Sequence, residues 1–172
     1  MAHAHSARAD TRDRRRTPAQ WYCLLAGLSL LLAGVLGFIA DSSFDTGEAV
    51  DGDLFLGFEV NGIHNLVHIA SGIVLLAAFP KRASARAVAI AFGLVYGLVA
   101  LIGLIDGSDV LGIIPINSAD NILHIALAAL GIITGLISRD DDRGRGTTVT
   151  DRDPTGSRFE RERAGATQRT RR

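Results

Sequence analysis

Four apolar stretches, each about as long as a bilayer is thick, leave this chain few folds to choose from. Residues 21–40 (WYCLLAGLSLLLAGVLGFIA) carry no charged side chain at all, and residues 62–79, 87–105 and 119–138 are nearly as apolar. About 20 residues of helix rise roughly 30 Å, the thickness of the hydrocarbon core. A helix also satisfies its own backbone polar groups, which lipid cannot do. The expected fold is therefore an all-α membrane protein with four transmembrane helices over those ranges. Trp21 and Tyr22 stand at the entry of the first run, at the depth amphipathic rings prefer. That run is too long for the core of a secretory signal, and Phe38 and Ala40 do not make a small-x-small cleavage site. Pro80 ends the second run, because helix is disfavoured at the residue before a proline.

Charge sets the expected orientation. The eighteen Arg and Lys residues all lie before residue 20, in the short 80–86 turn, or from Arg139 onward. The loops at 41–60 and 106–118 hold only acids, among them Asp41, Asp45, Glu48, Asp51, Asp53, Glu59, Asp106 and Asp109. Basic segments stay cytoplasmic, so four spans with both termini inside satisfy every segment at once. Within the outer loops, residues 54–60 and 110–116 are apolar but too short to span, and read as interfacial returns.

The expected organisation is a basic cytoplasmic tail (1–20), a transmembrane domain (21–138) and a charged cytoplasmic tail (139–172). Both tails are too polar to bury a core and are expected to be disordered. Arg12, Arg14, Arg15 and Arg16 form the best patch for anionic lipid headgroups. The C-terminal tail mixes in Asp140, Asp141, Asp142, Glu160 and Glu162, which argues against nucleic-acid binding. His3 and His5 read as residues of a mobile terminus rather than a metal site. Cys23 is the single cysteine, so no intrachain disulfide can form.

Within this frame one motif occurs twice. Asn61 to Ala70 reads NGIHNLVHIA, and Asn117 to Ala126 reads NSADNILHIA. The copies share Asn61/Asn117, Asn65/Asn121 and His68/His124, and each opens an apolar run, so the chain reads as two tandem helical hairpins. Asn61 and Asn117 suit helix N-caps, with His64 and Asp120 three residues on, as in a capping box. Asn65 and His68 share a helix face, as do Asn121 and His124; His64 and His68, and Asp120 and His124, are also within reach of each other. His68 and His124 fall at one depth, about 10 Å of helix rise from the caps.

Two readings of this motif stay open. In the first, these side chains only bridge helices, at about 0.6 kcal/mol per hydrogen bond on average, and nothing is bound. In the second, His68 and His124 hold a metal ion or haem, or handle protons, with Asp120 and His64 as supporting groups. No phosphate loop, Ser-His-Asp arrangement or pair of deep carboxylates is present, so a non-enzymatic role is expected. The first and third runs offer only Ser29 and Tyr96 as polar side chains apart from those at their ends, which argues against a pore within one chain. Partners are expected to be the bilayer itself and, beyond it, further copies of the chain or other membrane proteins.

The opening N-x-x-H-N-L-V-H-x-x-x-G of the second run and D-N-x-L-H of the fourth resemble an uncharacterised family of small actinobacterial membrane proteins, classed only as a domain of unknown function. The matching residues are Asn61, His64, Asn65, His68, Gly72, Asp120, Asn121 and His124, within residues 18–138. The resemblance implies a four-helix protein of the bacterial inner membrane. It carries no activity, cofactor or substrate.

Overall fold

A computed structural model of the chain describes residues 15–138. Arg12 and Arg14 of the expected lipid-binding patch, His3 and His5, and the segment from Arg139 onward lie outside the described residues. Four helices dominate: α1 (Pro18–Ala40), α2 (Gly62–Ala78), α3 (Arg82–Asp106) and α4 (Ser118–Ile137). Three of them, α1, α3 and α4, are long and apolar enough to cross a membrane. The 17 residues of α2 make it shorter, at about 26 Å.

Local sequence explains the helix ends. Thr17 caps α1 in a full capping box with Gln20, and Pro18 occupies the first helical position, where its missing N–H costs nothing. The Gln20 amide also donates to the carbonyls of Phe79 (2.9 Å) and Pro80 (3.3 Å), fastening the start of α1 to the end of α2. After Pro80 the chain re-enters helix at once, so α3 begins at Arg82, five residues before its uncharged run. Arg86 then donates to the Gly135 carbonyl (3.2 Å) near the end of α4, where a cation suits the helix dipole.

Packing is strongest between α1 and α2 and between α3 and α4. Small residues make these contacts close. A Cβ on Gly72 would lie 2.8 Å from the Gly27 carbonyl oxygen, and one on Gly93 would lie 2.7 Å from the Ala128 carbonyl oxygen. Membrane helices use such small-residue seams because lipid supplies no hydrophobic drive for association. The pairs meet around Tyr22, whose hydroxyl donates to the Leu127 carbonyl (2.8 Å), and Phe92, which stacks on Tyr96 with centroids 4.1 Å apart.

Burial runs opposite to that of a water-soluble bundle. The interior holds many Ala, Gly, Asn and His residues beside Tyr22, Leu30, Leu75, Phe92 and Tyr96, while Leu25, Leu32, Ile39, Leu94, Leu101, Ile122 and Leu130 face outward. Large aliphatic side chains on the outside and polar ones within are what a lipid solvent selects.

The two apolar returns are β-hairpins, which the sequence reading did not anticipate. Strands β1 (Asp53–Phe55) and β2 (Phe58–Val60) pair antiparallel, as do β3 (Asp109–Val110) and β4 (Ile114–Pro115). Each hairpin turns on a Leu-Gly step with positive φ at both residues: Leu56 (53°) and Gly57 (91°), then Leu111 (58°) and Gly112 (65°). A tight turn with this backbone matches the twist of paired strands. The hairpins fold over the starts of α2 and α4, and the Gly47 amide donates to the Gly112 carbonyl (2.7 Å) to join the two loops.

Candidate functional site

The polar motif converges beneath these hairpins. Asn61 caps α2, its Oδ1 accepting from the His64 amide at 2.9 Å. Asn117 caps α4, accepting from the amides of Ala119 (2.9 Å) and Asp120 (3.1 Å). Each cap also reaches across the molecule. The Asn61 side-chain amide donates to the Ile113 carbonyl of the second loop (3.3 Å), and that of Asn117 donates to the Gly57 carbonyl of the first (3.0 Å). Each asparagine thus holds its own helix with one end of its amide and the other half's hairpin with the other end.

Asp120 adds to this bracing. Its Oδ2 accepts from the backbone amides of Asn117 (3.0 Å) and Glu59 (2.9 Å), completing a capping box and anchoring β2. The Asn65 side chain donates to the carbonyl of Asp41, just past the end of α1 (2.9 Å). Its Oδ1 packs on Gly37 and that of Asn121 packs on Gly103, and neither oxygen has a hydrogen-bond partner. A Cβ at either glycine would collide with the amide.

The histidines form a separate cluster one turn deeper. His64, His68 and His124 are all buried, at 2, 7 and 3 % exposure. His64 Nε2 lies 3.1 Å from His68 Nε2, and the ring centroids of His124 stand 6.1 Å from His64 and 6.5 Å from His68. Tyr96 abuts His124 edge-on, with centroids 5.1 Å apart. One nitrogen from each of the three imidazoles lies within 4.8 Å of the other two.

Hydrogen bonding fixes part of the proton arrangement. His64 Nδ1 sits 2.9 Å from the Glu59 carbonyl oxygen. A carbonyl only accepts, so Nδ1 carries the proton and Nε2 presents a lone pair into the cluster. His68 Nδ1 and His124 Nδ1 are buried with no hydrogen-bond partner. The motif therefore divides: the capping asparagines, Asn65 and Asp120 have backbone partners, while the histidines keep unused nitrogen valence in an apolar setting.

Sequence reasoning named all eight residues of the motif and left His64 a supporting role. The geometry puts the His64 ring in direct contact with His68, a placement for which the four-residue spacing was the signal. Asp120 had been paired with His124, whereas its Oδ2 is engaged by two backbone amides. No slab of space separates His68 from His124. The His64 ring lies 4.4 Å from the first and 6.1 Å from the second, leaving no gap for a porphyrin. Of the basic patch, Arg16 lies over the Phe79 ring at 4.7 Å, and the Arg15 carbonyl accepts from Arg82 (2.9 Å).

Membrane-length apolar helices, a polar interior and a buried imidazole cluster define a helical membrane protein. The chain belongs to the family described as Domain of unknown function (DUF4383), which matches residues 20–137. No curated protein and no solved structure matches it.

Proposed function

We propose that this is a multi-pass membrane protein that holds a transition-metal ion between α2 and α4, with His64, His68 and His124 as ligands. The observation that carries the reading is the cluster of three buried imidazoles with converging nitrogens. Around a tetrahedral zinc ion, with Zn–N distances of about 2.0–2.1 Å, ligand nitrogens stand roughly 3.3 Å apart. His64 and His68 are already near that spacing, and His124 would have to swing in by up to about 1.5 Å. Imidazole suits zinc, copper, iron and nickel rather than magnesium or calcium. The His64 Nδ1–H···O=C bond to Glu59 is the kind of outer contact that orients a ligating histidine. Three protein ligands leave a fourth position open. In the absence of an ion, the His64–His68 pair shares one proton between its Nε2 atoms.

The same reading places the protein in a bacterial inner membrane with both termini cytoplasmic. Residues 21–138 form the membrane domain, and 1–20 and 139–172 are its cytoplasmic tails. The support is the confinement of basic residues to three segments on one side of the expected spans. The histidine site then lies in the outer half of the bilayer, under two hairpins built from the repeated halves of the chain. The role is binding rather than turnover.

The test is the metal content of wild type, purified in mild detergent without chelator, beside the His64→Ala, His68→Ala and His124→Ala variants. Near-stoichiometric zinc, copper, iron or nickel in the wild type, lost in each variant, is expected. A wild type that carries no metal and takes none up on titration overturns the proposal. Loss in one variant only would reduce the site to fewer ligands than proposed.

A further inference from the structure

A groove of about 600 Å³ runs between α1 and α4, from Pro18 and Thr134 at one end to His68 and Asp120 at the other. That volume lies within the roughly 300–1,000 Å³ usual for small-molecule sites. Its walls are almost wholly apolar. Trp21, Leu25 and Leu130 on its rim are more than half exposed, so the groove opens sideways toward lipid. The first hairpin, through Phe55 and Phe58, roofs its polar end. There the His68 ring is more than nine-tenths buried, and its Nδ1 has no partner.

We propose that this groove binds a single-chain lipid with a hydroxyl headgroup, such as a long-chain or polyprenyl alcohol, drawn from the bilayer. The chain lies along the α1–α4 seam and the hydroxyl meets His68 Nδ1. The shape and the lining select hydrocarbon, and the closed polar end selects the head. Without a metal, His64 Nε2 presents a lone pair, so His68 Nε2–H donates to it and His68 Nδ1 is left as a bare acceptor. That atom needs a donor, and the nearby Asp120 carboxylate is likewise an acceptor. A quinone or an ester carbonyl offers no donor. With a metal on His68 Nε2, Nδ1 carries the proton instead, and a hydroxyl can accept from it. The groove itself does not depend on the metal, while the preference for a hydroxyl over an ether or a carbonyl belongs to the metal-free protein, where His68 Nδ1 is an acceptor.

Trp21 is the only tryptophan and lines the groove, which supplies the readout. The full-length protein in detergent, freed of metal by chelator, is titrated with 9,10-dibromo-octadecanol and, separately, with its methyl ether, following quenching of Trp21. Saturable quenching by the alcohol is expected, with the ether roughly fivefold to tenfold weaker for want of one buried hydrogen bond. His68→Leu is expected to erase the difference between the two. Ser29→Phe, a change at an exposed groove-lining position, is expected to abolish saturable quenching by filling the seam. His124→Ala, which removes a metal ligand outside the groove, is expected to leave the advantage of the alcohol over the ether in place. Quenching that never saturates, or that is equal for alcohol and ether, or that ignores Ser29→Phe, overturns the proposal.

Discussion

Asn61 and Asn117 each do two jobs with one side chain, and the two can be separated by chemistry. The oxygen of each caps a helix and the nitrogen ties the opposite hairpin. Asn117→Asp keeps the acceptor and loses the donor, while Asn117→Ala loses both. A lost cap costs about 1 kcal/mol and a lost hydrogen bond a similar amount. Thermal unfolding in detergent should therefore rank wild type above Asn117→Asp, and that above Asn117→Ala. Equal midpoints for the last two would mean the aspartate cap contributes nothing. At this scale the sequence was partly legible. The repeat picked out His68 and His124, the repeated stretch also contains His64, and the three- and four-residue spacings said which could touch. The division of labour was hidden, because a capping asparagine looks the same whether or not a strand from elsewhere lies beside its amide nitrogen. The third imidazole was undervalued because His64 has no counterpart in the second copy, where Asp120 stands.

Among the elements, the helices were readable and the hairpins were not. Uninterrupted apolar runs, Pro80 and the flanking charges placed α1, α2 and α4 to within a turn, while α3 begins five residues before its uncharged run. The hairpins turn on Leu-Gly rather than Asn-Gly, and strands of two or three residues are too short to show alternation. A leucine at positive φ is disfavoured by roughly 1–2 kcal/mol, so these turns are held by their surroundings rather than by their own preference. Part of that surrounding is Glu59 on β2. Burial, and then the charges of Asp51 and Asp120, hold its carboxyl above the usual range for a glutamate. The folded hairpin thus favours the protonated acid. The stability Glu59 contributes is full below the ordinary value of 4.5 and is lost as pH rises through the raised one. Glu59→Gln should raise the unfolding midpoint at pH 8 and lose that advantage as the pH is lowered toward 4.5. The same gain at every pH would assign the effect to something other than ionisation. The backbone bonds of Glu59 to Asp120 and His64 are untouched by this change.

For the whole molecule, the distribution of charge and the inverted burial argue the same point independently. The core combines small and polar residues with a few large ones such as Tyr22, Leu75 and Phe92, and the outer surface of the helices is mostly leucine, isoleucine and valine. The proposed orientation is tested by placing a cysteine at Glu48, in the first acidic loop, with Cys23→Ala to remove the native thiol. In intact cells a membrane-impermeant maleimide should label position 48 from outside. Labelling only after the cells are broken would reverse the orientation. That the helices suit a lipid setting was readable from composition and the length of the apolar runs alone. That its interior carries a three-imidazole cluster and a lateral groove was not, because both depend on which faces of α1, α2 and α4 are brought together. The crossed ties between the halves also impose an order of events on synthesis. The Glu59 amide and the Asn61 side chain find their acceptors only at Asp120 and Ile113, residues translated later by 61 and 52 positions. The first hairpin therefore waits, incomplete, until the last helix has begun to enter the membrane. A chain cut short before that point lacks the carboxylate and the carbonyl that hold the Glu59 amide and the Asn61 side chain in the full-length structure.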